Sequence, residues 1–246
     1  NKQNQFTAQT ITETSGKTME ENMTTFNRTR NNLYAGKLVI SRPLWEGQLS
    51  FGGEYSHNSR TNIYHNEEGV LDSDDSEIKE GMASGFVEYG RSFGKLGVQA
   101  GVRYEHVGFD YYDAGKFVAE QSKDYNHLFP SITFNFPIKD VQIQLGYASD
   151  INRPSYYHLR SNITYVNRYM YDKGNPFLIP SITNNVTLGA SYKWMNLYVG
   201  YSHVKDGITS QTVAYSDDEP TIGLLTMRNT TAYDKLVAAF NVSPTI

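Results

Sequence analysis

The stretch "VQIQLGYAS" (residues 141–149) alternates strictly. Val141, Ile143, Leu145 and Tyr147 fall on one side, and Gln142, Gln144, Gly146 and Ala148 on the other. Successive side chains of a β-strand point to opposite faces, whereas a helix repeats every 3.6 residues, so this is a strand with one apolar face. The same period recurs along the chain. In "GVQAGVRYEH" (97–106), Val98, Ala100, Val102 and Tyr104 oppose Gln99, Gly101, Arg103 and Glu105. In "NVTLGASYKW" (185–194), Val186, Leu188, Ala190 and Tyr192 oppose Thr187, Gly189, Ser191 and Lys193. "QLSFGGEYSH" (48–57) and "SITFNFP" (131–137) repeat it.

Working outward, about ten strands are expected, at 3–14, 26–43, 47–60, 79–93, 95–112, 124–137, 140–153, 181–194, 196–214 and 223–243. The connections alternate in length. Tight turns fall at 43–47, 92–96, 137–141 and 193–197, and longer polar links at 60–78, 113–123, 154–180 and 216–222. Short turns at one rim and long loops at the other are the pattern of an up-and-down antiparallel barrel. Many of these strands exceed the roughly 9–11 residues that a tilted strand needs to cross a bilayer. The surplus is expected to project on the long-loop side. The fold class is therefore all-β, a transmembrane β-barrel, with residues 1–246 forming part of a single outer-membrane domain. A soluble β-sandwich with a binding or adhesive role is the alternative. Its strands are shorter, about 5–6 residues, and its turns do not divide into two length classes.

Composition agrees. The chain holds 19 Tyr, 12 Phe and 20 Gly, residues suited to strands and turns. It has no cysteine, which removes disulfides, cysteine-ligated metals and thiol catalysis. A net charge of −4 gives no broad footprint for nucleic acid. The mean hydropathy of −0.53 is compatible with a barrel, which shows lipid only every second residue.

The alternation breaks at "YDKGNPFLIP" (171–180). Proline cannot donate to a sheet ladder, so this is no central strand. The surrounding stretch 149–194 resembles a motif in the barrel domain of TonB-dependent receptors from Bacteroidetes-like bacteria. The matching residues are Arg153-Pro154-Ser155-Tyr156, then Gly174-Asn175-Pro176-Phe177-Leu178, Pro180 and the strand from Asn184. "EGMASGFVEYGRSFGKLGVQAGVRYEH" (80–106) and "NLYAGKLVISRPLWEGQLSFGGEYS" (32–56) look like hairpins of that family. The resemblance implies an outer-membrane receptor, energised through TonB, that takes up a scarce iron chelate, oligosaccharide or peptide. Its partners would be outer-membrane lipid, the TonB system acting through a plug, and a surface lipoprotein. Such receptors close 22 strands around a plug. Neither a plug nor a terminal aromatic strand is seen here, so a partial barrel is expected.

At residue level, Pro154 is expected to end one strand and Pro180 to begin the next. Gly174-Asn175 would supply a positive φ, and Phe177, Leu178 and Ile179 would pack the loop on the barrel wall. Tyr156, Tyr157, Tyr165, Arg168, Tyr169 and Tyr171 are candidate substrate contacts at a pore mouth, since aromatic rings and a guanidinium stack on sugars or aromatic ligands. Asp72, Asp74, Asp75 and Glu77 form an acidic run with the oxygen chemistry of calcium, without the glycine of an EF-hand loop. Histidines 57, 65, 106, 127, 158 and 203 show no metal-binding spacing, and no cofactor motif is present. The chain reads as a transporter and not an enzyme. An outer-membrane barrel hydrolase is the enzymatic alternative, though no Ser/His pair is singled out by spacing.

Overall fold

The computed structural model describes residues 2–12, 18–69, 71–218 and 220–244, with side chains described from Met23 onward. The strands are β1 (Lys2–Thr12), β2 (Thr18–Leu44), β3 (Gly47–Asn66), β4 (Asp74–Phe93), β5 (Leu96–Asp113), β6 (Lys116–Phe117), β7 (Lys123–Ile138), β8 (Val141–Asn152), β9 (Ile163–Asn167), β10 (Met170–Lys173), β11 (Ser181–Tyr192), β12 (Met195–Lys205), β13 (Ile208–Ala214), β14 (Gly223–Asn229) and β15 (Tyr233–Val242). The main sheet is an antiparallel meander in the order β1-β2-β3-β4-β5-β7-β8-β11-β12-β15, with β6 paired to β5. A second, four-stranded sheet has the order β13-β14-β10-β9, and its β10–β14 pair is parallel.

Register turns the sequence alternation into two continuous faces, because directly paired residues lie on the same face. Ile40, Phe51, Val87, Val102, Ile132, Tyr147, Val186, Tyr201 and Leu236 share one face across nine strands, through either direct pairing or even spacing along a strand. Most of its members are apolar yet exposed, Leu128 at 63% and Phe240 at 64%. Tyrosines Tyr34, Tyr55, Tyr104 and Tyr201 stand toward one end of this belt, and Trp45, Phe93 and Trp194 toward the other. Apolar residues turned outward between two aromatic girdles are the lipid face of a membrane barrel. The opposite face carries Ser50, Glu54, Arg103, Thr133, Gln144, Thr187 and Ser202 and is polar, as a wet interior requires.

The four short turns place Trp45-Glu46, Gly94-Lys95, Lys139-Asp140 and Lys193-Trp194 between paired strands. The first residue of each has positive φ (48°, 62°, 55° and 50°), and so does Glu46 at 59°. A left-handed residue matches the twist of a two-residue hairpin. The long links lie at the other rim.

Three expectations need correction. The strand foreseen at 196–214 breaks at Asp206-Gly207, where Asp206 has φ 55°. The strand foreseen at 223–243 likewise divides into β14 and β15. In both, the upper half leaves the main sheet for the second one. Asn229 holds the break, its Nδ2 donating to Asp206 O at 2.8 Å and to Ile179 O at 2.9 Å. Finally, the 154–180 link is not irregular throughout, since it contains β9 and β10. Residues 13 and 14 of the first expected strand lie outside the described residues.

The buried core sits where this second layer meets the polar face. Met23, Tyr64 and Leu71 pack with Tyr165 and Tyr171. Ile78, Phe109 and Tyr111 pack with Leu159 and Leu178. The strands β2, β3 and β4, of 27, 20 and 20 residues, supply a tall wall for that docking, whereas β8, β11 and β12 have 12, 12 and 11.

Candidate functional site

The chain leaves β8 at Asn152, and Arg153 turns back to pair with Glu105 on the polar face. Glu105 is 2% exposed and also receives Arg103 Nη2 at 2.9 Å. A buried carboxylate is tolerable only when paired, and here two guanidiniums flank it. Pro154 cannot extend the ladder, and a helical turn follows, with His158 N donating to Ser155 O at 2.9 Å. That turn swings Tyr156 inward. Its hydroxyl donates to Glu80 Oε1 at 3.0 Å, and the Arg60 guanidinium lies 5.6 Å from its ring centre. Burial pushes the Tyr156 phenol up to about 12, so it remains a donor at neutral pH.

Arg160 comes next and is 9% exposed. It bonds Asp172 Oδ2 at 2.6 Å and Tyr157 O at 2.9 Å, and stacks 3.7 Å above the Tyr157 ring. The Tyr157 hydroxyl donates to the same Asp172 oxygen at 2.5 Å. Tyr156, Tyr157 and Arg160 roof a cavity of about 70 Å³, walled by Arg60, Asn27, Asn62 and Ser76. A smaller, water-sized cavity of about 20 Å³ lies beside it, between Glu80, Tyr125, Arg153 and Leu178.

The Gly-Asn-Pro segment clamps the loop. Gly174 is buried, and a Cβ there would meet Arg160 O at 2.4 Å and His158 O at 2.7 Å. Its φ is not positive, so the expected conformational role is replaced by one of space. Asn175 N donates to His158 O at 2.6 Å, its Nδ2 to Met227 O at 2.9 Å, and its Oδ1 accepts from Phe177 N at 3.0 Å. Lys123 Nζ donates to Pro176 O at 2.9 Å and to Leu178 O at 2.6 Å. Leu178 is 1% exposed, but Phe177 and Ile179 are 56% and 41% exposed, so only one of the three expected packing residues reaches the wall. Pro180 immediately precedes β11.

The six candidate contacts do not form one site. Tyr156 and Tyr157 border the larger cavity. Tyr165 and Tyr171 are buried in the core, their ring centres 5.9 Å apart. Arg168 lies 5.0 Å from the ring of its neighbour Tyr169, which is 62% exposed. Arg60, Glu80, Lys123 and Arg160 were not among the expected contacts. Period two places Arg60 and Glu80 on the polar face, which was a usable signal, whereas the inward fold of the loop had none in the sequence.

The acidic run does not assemble a calcium site. Asp74 and Asp75 are adjacent on β4 and therefore face opposite ways. Asp74 accepts from Ser76 Oγ at 2.8 Å, Glu77 pairs with Lys79 at 3.4 Å, and Asp72 is exposed in the preceding loop. Among the described residues no group of three or more acidic or histidine side chains is placed to hold a metal. Among the described residues, His65 Nδ1 contacts Ser73 Oγ at 2.9 Å, and no carboxylate is bonded to that ring.

A profile of the outer membrane protein beta-barrel family matches residues 1–246. No curated protein sequence matches the chain. Among solved structures it is similar to the copper transporter OprC, at 12% identity and TM-score 0.61 over 89% of this chain and 36% of that one. It is similar to the Serratia marcescens hemophore receptor HasR, at 13% identity and TM-score 0.55 over 89% and 39%. It is also similar to the siderophore receptor PirA from Acinetobacter baumannii, at 15% identity and TM-score 0.51 over 97% and 38%. The chain thus spans less than two fifths of the length of each of these structures, and the likeness is one of fold.

Proposed function

We propose, from the premise that this chain belongs to the outer membrane protein β-barrel family and so resides in the outer membrane, that it is the barrel portion of a TonB-dependent receptor. On this reading it takes up a scarce substrate, with energy delivered through a plug. The relatives of similar fold handle copper, a heme-carrying hemophore and siderophores; an iron chelate, an oligosaccharide or a peptide is the substrate class proposed here. Tyr156 and Tyr157 are the proposed substrate contacts, with Arg60 and Arg160 beside them. The observation that carries the proposal is the inward fold of 154–180. It brings rings, guanidiniums and amides around a cavity of about 70 Å³ on the interior face, the mix that captures a polar group of a ligand at a pore mouth. Tyr169 and Phe177, exposed on the same loop, are the surface proposed to meet a surface lipoprotein. Residues 1–246 are proposed to act as one part of a single barrel domain.

Transport is favoured over hydrolysis because the His65–Ser73 pair has no orienting acid among the described residues, and a triad needs one. The test uses the full-length parent. It should partition with the outer membrane and show heat-modifiable gel migration. Cells should accumulate labelled ferric chelate, heme, copper, oligosaccharide or peptide only when TonB is present. Tyr156→Ala should raise the Kd of the accepted substrate about tenfold, the order of one lost charge-assisted or stacking contact. Accumulation that persists undiminished without TonB would sink the receptor reading.

A further inference from the structure

Arg28 and Arg30 stand on the lipid face of β2, beyond the aromatic girdle, and both are exposed. Their register partners on β3 are Ile63 and Thr61. With these they border an outward groove of about 180 Å³. Neither guanidinium forms an ion pair among the described residues. The position paired with Arg28 on β1 is Lys2. Asp75 and Glu77 lie one strand further on, and Glu77 is already bonded to Lys79. At the height of Arg28 and Arg30 the face is therefore basic on β2, neutral on β3 and acidic on β4.

Height selects the occupant. Tyr34 marks the girdle on β2. Arg30 and Arg28 lie four and six residues beyond it, about 13 and 20 Å along the strand. A strand tilt of about 40° reduces this to roughly 10 and 15 Å above the girdle. The headgroup layer of an ordinary bilayer is only about 5–7 Å thick on each side. Phospholipid phosphates would sit below both arginines. A glycolipid whose phosphates are carried on a tall sugar headgroup would reach them, and guanidinium is the side chain suited to bidentate phosphate contact.

We infer that Arg28 and Arg30 form an outward docking site for the phosphorylated sugar headgroup of an outer-leaflet glycolipid. This goes beyond the receptor reading and depends only on the placement of the barrel in its membrane. The full chain, purified in detergent, is titrated with rough lipopolysaccharide and with the same glycolipid after dephosphorylation. The phosphorylated form should bind tighter. Arg28→Gln with Arg30→Gln should weaken that binding roughly thirtyfold, the product expected for two surface cations. Arg42→Gln, on the same face at the opposite end of the belt, should change it less than twofold. Ten-millimolar-range inorganic phosphate, on the order of a cellular level, should leave the glycolipid bound if both charges meet one extended headgroup. Equal affinity for both glycolipids, unchanged binding in the double variant, or displacement by inorganic phosphate would each overturn the assignment. If the double variant loses its heat-modifiable migration, Arg28→Lys with Arg30→Lys carries the test, because the charges remain; it should retain binding within about fivefold, one weakened cation, and loss of binding by a folded lysine variant that also ignores phosphate would overturn it.

Discussion

Gly174 lies against the backbone of the helical turn that begins the loop, between the carbonyls of His158 and Arg160. Backbone atoms cannot swing aside as a flexible side chain can. Gly174→Ala should therefore push the two segments apart and cost about 1–3 kcal/mol, the range for overpacking a tight site. Denaturant unfolding of the full-length protein, paired with protease nicking of 154–180, would report it. A variant as stable and as resistant as the parent would show that the clamp yields. At this scale the sequence pointed to the right residue for a different reason: Gly-Asn-Pro advertises a turn, and only the neighbouring carbonyls reveal that the missing Cβ matters.

At the scale of elements, the loop is an added layer held by several anchors. Lys123 is one from the wall, beyond the lipid-facing stretch that begins at Leu128 on β7. Burial pushes its ammonium down to about 8, against 10.5 for an exposed lysine. Between those two values the unfolded or undocked chain binds more protons than the docked one, so docking strengthens as pH rises through that window. Below pH 8 the full penalty of a buried charge is present. The chain has no cysteine, so Phe177→Cys gives a unique site for a spin label beside the anchored carbonyls. Label mobility should fall between pH 7.5 and 10.5, and Lys123→Met should flatten the response. A label equally mobile across that range in the parent would refute the coupling. The breaks that divide 196–214 and 223–243 belong to this scale as well. Asp206-Gly207 is a turn signal, but alternation continues on both sides of it, so local pattern favoured an unbroken strand. Pairing of β14 with β10 is what rewards the break.

For the whole molecule, the membrane is the solvent that sorts the two faces. Leu145 sits mid-belt on the apolar face and is 39% exposed, while its neighbour Gln144 points to the polar side. Leu145→Arg should cost about 2–4 kcal/mol in lipid, and Gln144→Arg close to nothing. Unfolding of the full-length protein in vesicles compares them directly. Similar costs for the two would remove the assignment of faces. In a water-solvated sandwich the polarity would invert, since the apolar face would be the packed one.

The alternation in "VQIQLGYAS" and its repeats was sufficient for the ten strands of the wall, their meander and the identity of the lipid face, but not for the second sheet. Period two is a local property, and a one-residue slip would turn every apolar side chain the wrong way, so register follows from it. The short turns were legible for the same reason. The candidate site was only partly legible. Tyr156 and Tyr157 were named, but Tyr165 and Tyr171 proved to be core, and Arg60, Glu80, Lys123 and Arg160 were absent from the expectation. Arg60, Glu80, Lys123 and Arg160 are 20 to 100 positions apart in the chain. They meet because the 154–180 segment folds inward and joins β13 and β14 in a second sheet. Whether a loop turns into a barrel or away from it depends on long-range contacts such as Leu178 in the Ile78–Phe109–Tyr111 cluster and Arg153 on Glu105. No local pattern encodes such contacts, so the sequence determined the wall of this protein and the tertiary structure alone determined what packs against its inner face.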